Sequence, residues 1–439
     1  MQRPLTINGG TPLIGNVKIL GSKLSLQSIL AACLFSNEDI ILENVSQTNI
    51  LEQELEMLRN LGVKAQWSGQ ERLIINAANL VNSDFPVSAK KSRVALFLAA
   101  PLLYRFGKVS IPMPEYLPAG IKSISRWIDT WQALGIEIIE ESKFIHLKAE
   151  KFNGAHINFK TPTFRGTCNA ILSALSVLGE TTITNASEEP EIDSLIDFCN
   201  IIGGNVTRVE HRKIVVQGKH VFKGGYFELH PDRTETVMYA VAALVTGGNL
   251  TIQNVNRNNL TSFTNVLTKI GARFDFVGNE LRVWRAGEQL LATNITTSPA
   301  PGFNSDWESF ITLLMTKAEG ISLIHDTIYT NRFGFIQELN RMGAKIDLLH
   351  PSDVNLKAVV SDDAYDETTQ GEPYTVARVT GPTRLRGTKL SINENYYGAT
   401  LILAAICAEG KTEISGYEYI TDGYNQLLEK LTKLGAKFL

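Results

Sequence analysis

An amphipathic helix that ends on glycine and leads into a strand recurs six times, and this repeat constrains the fold more than any other feature. The copies are LEQELEMLRNLGVKA, SISRWIDTWQALGIEI, SLIDFCNIIGGNV, SFTNVLTKIGARF, FGFIQELNRMGAKI and YNQLLEKLTKLGAKF. Their glycines are Gly62, Gly135, Gly203, Gly271, Gly343 and Gly435, at steps of 73, 68, 68, 72 and 92 residues. Glycine suits a helix end because it takes positive φ without strain. A second pattern alternates with the first. It is a helix of small and apolar residues followed by a turn and a β-branched strand, as in SILAACLFSNEDIILENV, TVMYAVAALVTGGNLTIQNV and TLILAAICAEGKTEISGY. Helices apolar on every side belong in a core, and amphipathic ones nearer solvent.

Each unit of roughly 70 residues therefore carries two helices and several strands. A solenoid of stacked repeats is one way to use such units. Six units grouped three and three into two compact domains suits 439 residues better. The long last step contains a polar stretch, Ser361 to Tyr374, expected to be a surface insertion or mobile loop.

The formal net charge of −3 implies no general affinity for nucleic acid or membrane. MQRPLTINGG has no apolar signal region, and the longest apolar run, Val94 to Tyr104, is too short to cross a bilayer. A cytoplasmic protein is expected. The four cysteines, Cys33, Cys168, Cys199 and Cys407, form no CxxC pair and sit in apolar, helix-like stretches, so reduced core thiols are expected. The seven histidines show no helical ligand spacing, and no metal site is expected. GSKLS at 21–25 lacks the spacing of a phosphate-binding loop.

The segments GSKLSLQSILAACLF and NRFGFIQELNRMGAKI, with PDRTET at 231–236, resemble the UDP-N-acetylglucosamine enolpyruvyl transferases, relatives of the shikimate-pathway enolpyruvyl transferase. The resemblance covers essentially the whole chain. It implies an α/β (α+β) fold: a two-domain inside-out barrel of six βαβαββ-type units, three per domain. One domain would span 21–230 and the other 1–20 with 231–439, with ligands in the cleft between them. It also implies a small-molecule nucleotide-sugar substrate, phosphoenolpyruvate as donor and no cofactor.

Residue by residue, the resemblance places the family's phosphate-holding lysine at Lys23, its inner-helix arginine at Arg93 and its base at Asp306. A helix-capping or salt-bridge role for Arg93, and a capping role for Asp306, are alternatives. Asp232, Arg233, Glu235 and Arg332 fit the family's hinge, and interdomain ion pairing accounts for them equally well. Several positions depart from the pattern. The loop cysteine that serves as acid falls at Glu115, which could act as an acid if burial raised its pKa. The loop arginine falls at Gly120, with Lys122 two residues on. The two C-terminal arginines fall at Tyr396 and Asp422, and a neighbouring aspartate matches Glu394. A nucleotide-holding lysine falls at Thr161, with Lys160, Thr163 and Arg165 alongside. The site thus expected has Asp306, Glu115 and Lys23 as catalytic groups. Arg93, Lys122, Thr163, Arg165, Arg332, Glu394 and Asp232 would bind substrate.

Three functions fit this pattern. The first is an enzyme of altered chemistry on a nucleotide or nucleotide sugar. The second is a phosphoenolpyruvate-dependent transferase with Glu115 as replacement acid. The third is an inactive ligand-binding paralogue.

Overall fold

The structure, a computed structural model, describes residues 4–81, 85, 89–90, 92, 94–113, 124–141, 143–149, 153–218, 221–361, 365–421, 423–424 and 426–439. The chain forms two compact units, Leu20–His230 and Met1–Ile19 with Pro231–Leu439.

Within Leu20–His230 the apolar helices are Lys23–Cys33, Ala99–Phe106 and Phe164–Leu175. Their residues form one core, with Ile29, Leu102 and Ile171 fully buried. The amphipathic helices are Asn49–Asn60, Ser125–Ala133 and Pro190–Ile201. In the first, Leu51, Leu55 and Leu58 turn inward at helical spacing while Glu52, Gln53 and Glu56 face water. The other unit repeats the scheme. Arg233–Thr246, Glu308–Met315 and Asn395–Cys407 pack against one another, and Thr261–Lys269, Phe335–Arg341 and Leu427–Lys433 are the glycine-ended helices. Val237 to Leu244 are all fully buried.

Small sheets accompany the helices, three in each unit among the described residues, and all are mixed except the antiparallel sheet of Lys108–Pro112, Glu137–Glu140 and Phe144–Lys148. In one, Ile40–Glu43 pairs antiparallel with Leu73–Asn76 and parallel with Gly225–Glu228. In another, Asn249–Gln253 pairs antiparallel with Glu280–Trp284 and parallel with Ile14–Lys18. Leu5–Asn8 lies between Lys411–Ser415 and Lys437–Phe438. The N-terminal strands thus complete the unit built mainly from the C-terminal half.

Two backbone devices repeat. All six helix-ending glycines have positive φ, from 74° at Gly271 to 112° at Gly435, as the pattern predicts. At Gly62 an added Cβ would also lie 2.3 Å from the Asn79 carbonyl oxygen. The second device follows the inner strands in ENV, TNA and QNV. Asn44, Asn185 and Asn254 are left-handed, and asparagine tolerates this better than most residues. Their side-chain amides donate to the backbone oxygens of Leu229, Phe159 and Ile19, at 2.9, 2.8 and 2.8 Å. Each asparagine pins the turn to the chain leaving the parallel neighbour strand.

All four thiols lie in helices and are free. Burial pushes each of them up in pKa, most strongly Cys33, Cys168 and Cys199. In the 361–374 stretch the described residues are anchored: Glu367–Gln370 is a short exposed helix, Glu372 accepts from Ser352 N at 2.8 Å, and Tyr374 packs on His350 with ring centroids 3.7 Å apart. Among the described residues no helix is long and apolar enough to cross a membrane.

Candidate active site

The clearest concentration of ionisable side chains lies in the unit Met1–Ile19 with Pro231–Leu439. Its centre is Arg332, in the segment after the strand Ala318–His325. Its Nη1 donates to Asp306 Oδ1 at 2.6 Å. Only 12% of the arginine side chain is exposed, against 43% of the aspartate. The guanidinium lies 3.4 Å from the Tyr329 ring centroid and 5.2 Å from that of Tyr396, a geometry that favours a cation on aromatic faces. The Tyr396 hydroxyl donates to the Arg332 carbonyl. The buried Arg332 Nε has no hydrogen-bond partner among the described residues. Burial works against the charge on Arg332, but Tyr329, Asp306 and Asp326 together outweigh it and hold the guanidinium above the ordinary arginine value.

Local sequence explains the exposure of Asp306. It is the middle residue of the single turn Ser305–Trp307 ahead of the helix Glu308–Met315. The residue that caps this turn is Asn304, whose side chain accepts from Asp306 N at 2.7 Å. Capping therefore does not account for the Asp306 carboxylate, which faces Arg332. Trp307 is fully buried and donates to Thr234 Oγ1 at 3.2 Å, with the Arg233 guanidinium 5.4 Å from its ring.

Two buried acids complete the cluster, and sequence reading missed both. Asp326 directly follows the strand Ala318–His325 and is fully buried. Its Oδ1 accepts from Thr297 Oγ1 at 2.7 Å and Ile328 N at 2.9 Å, and its Oδ2 from Ser305 Oγ at 2.9 Å. Glu308 is 1% exposed and close enough to couple with Asp326 and Arg332. Its described donor, the Thr312 hydroxyl, is 3.2 Å from Oε1 but 2.8 Å from the Glu308 carbonyl. One hydroxyl proton favours the nearer oxygen, so the carboxyl is weakly served. Burial, reinforced by Asp326, raises Glu308 well above the carboxylate range. Burial also raises Asp326, against the pull of Arg332 and of its donors. Of the two, Asp326 has the more donors to support a charge, and Glu308 the fewer. An acid inside the apolar run ESFITLLM was the available signal for Glu308. Nothing local marks Asp326.

Glu394, raised by burial against the pull of Arg332, and Tyr396, raised chiefly by burial, open the helix Asn395–Cys407 and face the same guanidinium. Asp232 caps the helix Arg233–Thr246 by accepting from Thr234 N at 2.9 Å and Glu235 N at 3.0 Å. Glu235 pairs with Lys430 at 3.1 Å, also within this unit.

The described candidates Lys23, Thr163 and Arg165 in Leu20–His230 sit at starts of helices. Lys23 is the first residue of Lys23–Cys33, behind the cap Ser22. Thr163 caps Phe164–Leu175 by accepting from Gly166 N at 3.4 Å, and Arg165 lies in its first turn. Thr161, at the family's lysine position, accepts from Arg126 Nη2 at 2.7 Å. Glu115, Arg93, Lys122, Gly120 and Asp422 lie outside the described residues. Among the described residues no group of three or more His, Cys, Asp or Glu is placed to hold a metal ion.

Residues 7–431 match the EPSP synthase (3-phosphoshikimate 1-carboxyvinyltransferase) family. The chain belongs to this family. It is 31% identical over 437 residues to UDP-N-acetylglucosamine 1-carboxyvinyltransferase 1 of Caldanaerobacter subterraneus subsp. tengcongensis, covering 100% of this chain and 99% of the relative. It is equally similar, 31% over 433 residues and 98% of each chain, to UDP-N-acetylglucosamine 1-carboxyvinyltransferase of Desulfosudis oleivorans. The fold matches the crystal structure of the enolpyruvyl transferase NikO from Streptomyces tendae, with a TM-score of 0.85 at 23% identity over 100% of this chain and 99% of that one. It also matches EPSP synthase from Acinetobacter baumannii, with a TM-score of 0.71 at 13% identity over 100% of both chains. The two-domain enolpyruvyl transferase fold expected from the resemblance is therefore shown, and the chain is an enolpyruvyl transferase family member similar to the UDP-N-acetylglucosamine 1-carboxyvinyltransferases.

Proposed function

We propose that this family member is a cytoplasmic enzyme that binds a nucleotide or nucleotide sugar, deprotonates one of its hydroxyls with Asp306, and has altered chemistry on the donor side. The observation that carries the reading is the Arg332–Asp306 pair at 2.6 Å. It presents a half-exposed carboxylate, held by a buried cation, at the position where the family has its base. A base must reach the proton it takes and hold one orientation, and this pair supports both. Lys23, Thr163 and Arg165, at starts of inner helices, are the groups proposed to meet substrate anions, since helix starts favour negative charge. Arg93, Lys122 and Asp232 are proposed to bind substrate, and Glu115 to serve as the acid, on the family pattern alone.

The donor side differs. By resemblance an arginine would stand where Tyr396 stands, and here Tyr396 and Glu394 face Arg332. A charge-assisted hydrogen bond contributes roughly 1.5–3 kcal/mol, or about 10- to 150-fold in affinity. A strongly anionic donor such as phosphoenolpyruvate is thus held less tightly than in the named relatives. Calorimetric titration with UDP, UMP and UDP-N-acetylglucosamine, beside phosphoenolpyruvate, tests this. Saturable nucleotide binding with weak or absent donor binding is expected. The absence of any nucleotide binding would refute the acceptor assignment.

A further inference from the structure

We infer that Asp326 is a positioning residue that holds the Asp306–Arg332 pair in register. The inference rests on the proposed role of Asp306 and adds a residue that the family pattern did not supply.

Asp326 is fully buried, and its two oxygens are shared among three stretches of chain. Oδ2 accepts from the hydroxyl of Ser305, the residue immediately before Asp306. Oδ1 accepts from Ile328 N, at the start of the segment that carries Tyr329 and Arg332. Oδ1 also accepts from Thr297, which is clamped a second time to the Arg332 segment: Thr327 N donates to Thr297 Oγ1 at 3.0 Å, and Thr327 Oγ1 donates to Thr297 O at 2.6 Å. One carboxylate thus ties the base-bearing turn to the arginine-bearing segment from beneath.

These bonds are directional and charge-assisted, so they fix angle as well as distance. The two residues they support are 26 apart in sequence, and no single helix or strand holds both. The Tyr329 ring over the guanidinium depends on the same anchored backbone. Asp326 touches no reacting atom in this scheme. It acts by keeping Asp306 Oδ1 against Arg332 Nη1, and so by aiming the carboxylate.

The variants are Asp326→Asn, which keeps shape but cannot accept at both oxygens, and Ser305→Ala, which cuts one tether and spares the buried charge. Turnover is measured per mole of folded enzyme, with kcat and KM separated, on whichever donor and nucleotide pair the wild type turns over. Crystal structures of both variants are solved. Misplacement of a reacting group by about 1 Å costs about 10²-fold. Asp326→Asn is expected to lower kcat by about that factor with KM little changed, Ser305→Ala by less. The Oδ1–Nη1 separation is expected to open from 2.6 Å to beyond about 4 Å, past ion-pair range. Unchanged kcat, or an unopened pair in both variants, overturns the inference. If the wild type turns over no tested pair, the functional reading fails, and the two structures alone decide whether Asp326 holds the pair. If Asp326→Asn does not fold, Ser305→Ala gives the same decision.

Discussion

Removing either partner of the Arg332–Asp306 pair should have very unequal effects on stability. Arg332 is the cation against which Asp306, Asp326, Glu308 and Glu394 are balanced. Arg332→Met keeps much of the side-chain volume but leaves the fully buried Asp326 carboxyl without its cation. Breaking a buried charge cluster in this way costs about 3–5 kcal/mol. Loss of the contacts with the Tyr329 and Tyr396 rings adds about 0.5–2 kcal/mol. Asp306→Asn removes a carboxylate that is 43% exposed and screened by water, while Asp326 still faces Arg332. That change should cost less than about 1 kcal/mol. Hydrogen exchange read on the helix Glu308–Met315 reports the unit that contains the pair. The double variant should resemble Arg332→Met alone. Equal costs for the two single changes, or a cost below about 1 kcal/mol for Arg332→Met, would refute the view that one buried guanidinium organises this acidic site.

The raised Glu308 carboxyl predicts that folding stability falls as pH rises above the usual carboxylate value, because the unfolded chain then releases a proton that the folded protein keeps. The slope approaches about 1.4 kcal/mol per pH unit from this one group. Glu308→Gln should abolish it in urea titrations across pH, and persistence of the slope would show that Glu308 is ionised in the fold. Tyr396→Arg places a second guanidinium beside Glu394 and should tighten phosphoenolpyruvate binding by roughly 10- to 150-fold. Unchanged affinity in calorimetry would remove Tyr396 from the donor-binding side.

The sequence was most readable where structure is local. Gly62 and its five counterparts end helices at positive φ because a helix stop is decided within a few residues. The reach of the asparagines in ENV, TNA and QNV to Leu229, Phe159 and Ile19 spans up to 235 residues and appears only in the fold. The site behaves similarly. Asp306 and Arg332 could be aligned with a family pattern, but their pairing joins positions 26 apart, with the helix Glu308–Met315 and the strand Ala318–His325 between them, and appears only in the fold. Asp306 looked able to cap the next helix, but that helix has no side-chain cap, and Asn304 caps the short turn before it by accepting from Asp306 N. Tyr396 read only as a missing arginine, and its packing on Arg332 needed the helix Asn395–Cys407 in place. Asp326 carries no periodic or motif signal, because its donors come from three separate segments.

The most direct test is inorganic phosphate release from phosphoenolpyruvate, with UDP-N-acetylglucosamine present and absent, on wild type and Asp306→Asn, beside calorimetric nucleotide titration of the same preparations. Altered donor chemistry predicts saturable nucleotide binding to both proteins and no phosphate release that depends on both substrates. Phosphate release that requires both substrates, and that Asp306→Asn abolishes, would keep Asp306 as the base but contradict the altered donor side. The chain would then perform the reaction named for its relatives.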